Sequence, residues 1–223
     1  MFVGHYAVSF WFKARDPSLP LWVLVIAVQL VDIVWAGLVL LGVERVAIVP
    51  GITAASPLDL QYVPYTHSLT AVGGWSLLAM WLWFRLDRNG PGRTRRAVLV
   101  GSAVFSHWLG DLLVHRPDLP IYDNRHKVGL GLWDYAAASF MLETGLLALT
   151  MWFWYRSSQR QANRRNLVLL FLFMVATQAY TTFGPNPSSA AHFVLLALGF
   201  YLIYALASRS CDVAPSTSVR IPA

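Results

Sequence analysis

The chain has 223 residues, 57% of them hydrophobic and only 13% charged, with a formal net charge of +6. Soluble domains carry about 25% charged residues, so the composition excludes an ordinary soluble enzyme and indicates a polytopic membrane protein. The lone cysteine, Cys211, excludes an intramolecular disulfide and a thiolate metal cluster. The basic residues sit in loops as topology signals and do not argue for nucleic-acid binding.

In chain order, the first segment is MFVGHYAVSFWF (1–12). It lacks a basic start and a small-residue cleavage site, so no cleavable signal peptide is expected. It is also too short to span. Backbone at depth needs shielding by other helices, so a partly inserted helix packed into the bundle is expected. Six apolar runs follow, at 19–42, 64–86, 96–115, 130–155, 167–185 and 188–208. Each approaches or exceeds the roughly 20 residues that cross a hydrocarbon core. None alternates, which excludes a barrel. The expected fold is all-α and integral to the membrane. Residues 1–208 form one domain, and 209–223 form a disordered cytoplasmic tail. Arg85, Arg88, Arg93, Arg95 and Arg96 crowd one loop, and Arg156, Arg160, Arg164 and Arg165 another. The positive-inside rule places these loops and the C-terminus in the cytoplasm. Loops 43–63 and 116–129 then face outward.

Ionisable residues recur in the outer half of this arrangement. Asp32 lies near the middle of the first span and His67 near the outer end of the second. His107, Asp111 and His115 share one face of the third, drifting about 40° per step at 3.6 residues per turn. Glu143 lies near the middle of the fourth. Charged side chains at such depth cost roughly 2.5–3.5 kcal/mol on insertion scales, so the group needs a shared reason. His, Asp and Glu are ligands for zinc, manganese or iron. An isolated HxxxD is a weak signal, and Asp32 and His67 nearby strengthen it. Structural alternatives stand beside each reading. His67 can be a backbone-bonded residue at a helix start, and Asp32 a partner in a buried pair. His115 and Arg116 can mark the water interface, and Asp118 can shape a turn. Glu143 has no capping explanation. The Trp-rich stretches WLWF (81–84) and MWFWY (151–155) read as interfacial belts.

Four motifs occur in order: GHYAVSFWFK (4–13), VDIVW (31–35), THSL (66–69) and SHWLGDLL (106–113). Over about residues 1–120 the chain resembles the bacterial inner-membrane family of predicted metal-dependent hydrolases, the LexA-regulated type. The resemblance implies His5, Asp32, His67, His107 and Asp111 as ligands. The chain departs from the family pattern at Val34 and Trp35, where an Asp and a His are usual. It departs again at VPY (63–65), where a His-Arg-Gly precedes THS. These changes bear on a second metal site.

The expected function is a membrane-embedded metal-dependent hydrolase in a bacterial inner membrane. It would hold a divalent metal, zinc first, and act on a small molecule or on a membrane lipid bearing a phosphoester or ester. Glu143, His115 and Asp118 are candidate catalytic groups. Arg116, Tyr65 and Arg125 are candidate substrate contacts. The alternatives are a proton- or ion-coupled transporter or channel, a catalytically inactive metal-binding protein, and haem held by paired histidines.

Overall fold

The structure is a computed structural model that describes residues 1–88, 90–157 and 162–212. A 3-10 turn at Val3–His5 leads into helix α1, Tyr6–Arg15. Helices α2 (Leu21–Leu40), α3 (Leu69–Leu86), α4 (Arg93–Val114), α5 (Ala136–Ser157), α6 (Arg164–Phe183) and α7 (Ala190–Cys211) follow. All six are long and apolar enough to cross a membrane. The all-α membrane class expected from the sequence is therefore the fold observed.

Helix α1 packs between α5, α2 and α4 and does not span. Its Tyr6 and Phe10 are fully buried, with Phe10 against Trp154 and Tyr6 edge-on to Tyr204. Helices α3 and α4 form an antiparallel pair, and α2 lies against α7 and α4.

Element boundaries follow local chemistry. Helix α3 starts at Leu69, later than the apolar run, because Ser68 caps it: its Oγ accepts from Ala71 N at 3.1 Å. His67 therefore sits in the turn just ahead of the helix. Helix α4 starts after Gly92, whose φ of 89° suits glycine. Helix α5 begins only at Ala136, after a 3-10 turn at Leu132–Asp134.

The loop after α2 contains a hairpin that sequence patterning did not reveal. Strands β1 (Arg45–Ile48) and β2 (Leu58–Tyr62) pair antiparallel, with Val46 opposite Leu60 and Ile48 opposite Leu58. Val46, Leu58 and Leu60 pack with Trp35, Leu119 and Val194, so the hairpin covers one end of the bundle.

At the opposite end, the buried Lys13 ammonium donates to Pro17 O and Leu19 O and pairs with Asp212 at 2.8 Å. Asp212 also accepts from Leu21 N. The chain is thus helical to Cys211 and anchored at Asp212, so the expected disordered tail does not begin at 209. Residues 213–223 lie outside the described residues.

Candidate metal centre

The centre is built on α4. His107 and Asp111, four residues apart, project from one face of that helix into the hairpin-side half of the bundle, and both are buried. Gly110 leaves room beside them for His5, which the N-terminal 3-10 turn delivers. A Cβ at Gly110 would lie 3.0 Å from His5 Nδ1 and 3.1 Å from its Cε1. The His5 ring stacks on His107 with centroids 3.9 Å apart and planes 12° from parallel. Gly110→Ala must therefore displace His5. We expect about a tenfold or greater loss of metal affinity, the scale on which misoriented ligands are felt, measured by competition with a chelating dye.

Asp111 is the hub. Its Oδ1 lies 3.1 Å from His5 Nε2 and 3.8 Å from His115 Nε2, and it pairs with the Met1 amino group. Its Oδ2 lies 3.1 Å from His107 Nε2 and 3.9 Å from His67 Nε2. Asp32 enters from α2, with Oδ1 3.2 Å from His67 Nε2 and 3.4 Å from His107 Nε2. His5, His107 and Asp111 form one group able to hold a metal ion, and Asp32, His67 and His107 form another. Within each, the donor atoms lie within 4.8 Å of one another. Donors on one tetrahedral zinc, each about 2.0–2.1 Å from the ion, are separated by about 3.3 Å. The spacings at His107 match that value.

Hydrogen bonds outside the cluster aim the donors inward. His107 Nδ1 faces Val28 O at 2.8 Å. A carbonyl only accepts, so Nδ1 carries the proton and the lone pair of the neutral ring is on Nε2. That buried Nε2 faces two carboxylate oxygens, Asp111 Oδ2 at 3.1 Å and Asp32 Oδ1 at 3.4 Å. A lone pair facing carboxylate oxygens is repelled unless a proton or a cation lies between them. A second ring proton or a divalent cation relieves that repulsion, and the mixed imidazole and carboxylate donors are of the kind that can hold a metal.

His67 is held in a similar way. The Thr66 hydroxyl donates to Glu44 Oε2, so its oxygen is left to accept from His67 Nδ1 at 2.9 Å. Glu44 also accepts from Tyr65 N at 2.7 Å and Thr66 N at 3.0 Å, which fixes the turn ahead of α3. Asp32 Oδ2 accepts from Gln29 Nε2 at 2.6 Å and Tyr201 Oη at 2.9 Å, leaving Oδ1 for the cluster. Outer hydrogen bonds of this kind typically contribute 10–100-fold to metal affinity. Thr66→Val, which keeps the shape but removes the link, is expected to weaken metal binding within about that range, by the same competition assay.

His115, at the end of α4, is 4% exposed. Its Nδ1–H is oriented by Asp118 Oδ1 at 3.0 Å, and its ring packs on Trp133. This excludes the interface-marker reading of His115 and gives Asp118 an orienting task. Glu143 is fully buried and accepts from Phe2 N at 2.7 Å and Gly4 N at 3.1 Å. It anchors the segment that carries His5.

A cavity of about 70 Å³ opens beside the cluster. Asp32, His67, Asp111 and His115 face it, and Trp35, Trp133, Glu143 and Tyr201 complete much of its wall. On the scale of about 10–15 Å³ per water, it admits an ion, a few waters or a substrate headgroup. The three expected substrate contacts do not line it. The Arg116 guanidinium pairs with Asp59 and lies 3.4 Å from Asp118. Tyr65 is 52% exposed on the outer side of the turn. The exposed Arg125 lies 4.0 Å from Asp123. Sequence reading also missed Glu44, Thr66, Gln29 and Tyr201, whose tasks depend on partners far along the chain. Trp35 closes one side of the site. It lines the cavity, lies edge-on to His67, and its indole N–H has no partner among the described residues.

No family model matches the sequence, and neither a curated protein nor a solved structure matches it.

Proposed function

We propose that the chain is a metal-dependent hydrolase embedded in a bacterial inner membrane, of the kind its N-terminal motifs resemble. The observation that carries this reading is the gathering of His5, Asp32, His67, His107 and Asp111 into two overlapping buried groups beside a cavity, with the Nε2 of His107 shared between them and facing a carboxylate oxygen of both Asp111 and Asp32. The mixed imidazole and carboxylate donors suit zinc. By the positive-inside rule the Arg-rich end faces the cytoplasm and the cluster lies at the outer side. The substrate is an ester or phosphoester reached from the lipid.

When bound, a divalent cation supplies Lewis acidity, acidifying water and polarising the scissile bond. The chain's own groups handle the proton. His115 Nε2 accepts a proton from the attacking water while Asp118 holds Nδ1–H. The water oxygen forms the new bond to phosphorus or to the acyl carbon. The bond to the leaving oxygen breaks, and that oxygen takes the proton from His115. The Trp35 N–H is available to a substrate oxygen in the cavity.

A transport role would require polar groups through the bundle. Inward of the cluster the core is dominated by Phe10, Leu24, Leu147 and Trp154, all fully buried, with the small polar side chains of Ser9 and Ser208 also buried there ahead of the Lys13–Asp212 pair at the far end. This favours a one-sided site.

The test is elemental mass spectrometry of detergent-purified protein beside a His67→Ala/His107→Ala variant. About one zinc per chain or more, lost in the variant, supports the reading. Equal metal in the two proteins, or none in either after zinc is added, overturns it.

A further inference from the structure

A cavity of about 70 Å³ can take the reacting headgroup of an ester or phosphoester, but not the remainder of a lipid. The rest of the molecule must leave by a continuous path. One such path exists. A groove of about 110 Å³ lies between α6 and α7 and shares Phe2, Pro57, Thr181 and Phe193 with the metal cavity. Phe193, Leu196, Ala197 and Phe200 line it from α7, at the 3-1-3 spacing of a single helix face. Tyr180 and Pro187 border it from the other side. Polar side chains are few and gather near the α6–α7 loop, where Asn186 and His192 sit. The opposite face of α7 carries Leu195, Leu202 and Leu206, all exposed and suited to lipid contact. The groove lies between two helices long enough to cross the hydrocarbon layer, with the half-exposed Tyr180 at its border.

We infer that this groove receives the hydrocarbon chain of an amphiphilic substrate whose ester or phosphoester head occupies the metal cavity. The inference rests on the hydrolase reading and specifies its substrate class. A chain that slides sideways from the bilayer into the groove exchanges one apolar environment for another and never crosses water. The groove thus sets direction and chain-type selectivity more than affinity. It also accounts for Arg116, Tyr65 and Arg125 standing away from the cavity, since the substrate is delivered from the side.

The experiment uses the full chain, purified in detergent with added zinc. The probe is a hexadecyl para-nitrophenyl phosphodiester carrying a diazirine midway along its alkyl chain. After illumination, adducts are mapped by peptide mass spectrometry, and nitrophenol release in the dark reports hydrolysis. Adducts at Phe193, Leu196 and Phe200 are expected to exceed those at Leu202 by about tenfold. Leu196→Trp is expected to lower hexadecyl relative to ethyl phosphodiester hydrolysis by about the same factor. Equal labelling of both faces of α7 overturns the groove. Groove labelling without nitrophenol release leaves the groove standing and counts against the hydrolase. Release with even labelling does the reverse.

Discussion

Asp111→Asn is expected to yield a folded protein that no longer retains metal. Both oxygens of this carboxylate are committed, Oδ1 to His5 and Oδ2 to His107. The amide keeps the size but loses the negative charge and one acceptor. Changes to groups that merely orient ligands lower metal affinity 10–100-fold, so loss of the hub ligand should exceed about 100-fold. Elemental analysis after dialysis and a chelator competition would read this directly. His126→Ala is the matched control. His126 sits in a turn with a φ of 53°, outside both metal-competent groups, and its loss should leave metal content unchanged. Equal metal retention in Asp111→Asn and wild type would remove the basis for the site.

Glu143→Leu is expected to be the most damaging substitution for stability. It leaves two N-terminal backbone donors, Phe2 N and Gly4 N, without their acceptor. Each buried unpaired donor costs about 1–3 kcal/mol. The two together should cost about 2–6 kcal/mol, lowering the melting temperature by several degrees or more at about 2–4 °C per kcal/mol. Metal affinity should fall as well, because His5 rides on the released segment. Glu143→Gln retains an acceptor oxygen and should recover most of both. A Gln variant that is stable and metal-loaded but inactive would instead assign the carboxylate to proton transfer.

The sequence made the membrane class and the six spans legible because long apolar runs admit few other structures. It also pointed to the buried His/Asp cluster, since Asp32, His67, His107 and Asp111 are costly at depth without a purpose. His5 was harder to place. Its segment is too short to span, and its position depends on Glu143, 138 residues later in the chain. The hairpin was missed for a related reason. Arg45–Ile48 and Leu58–Tyr62 are short, and their apolar residues meet Trp35, Leu119 and Val194 only in three dimensions. Arg116 looked free because charge was visible, whereas its pairing with Asp59 on β2 was not. The clustered His and Asp residues thus announced themselves by where they lay, and the groups that aim them did so only through contacts between distant segments.

The anchoring of the N-terminal turn by α5 also imposes an order on assembly. During synthesis His5 emerges first and Asp32 soon afterwards, followed by the His67 turn and then α4 with His107 and Asp111. The acceptor that fixes the His5 segment arrives only with Glu143 on the next helix. Until α5 is in place, the nascent chain holds all five candidate donors with the first of them untethered. Completion of the cluster is therefore a late event, and a truncation before Glu143 would insert all five candidate donors without fixing His5.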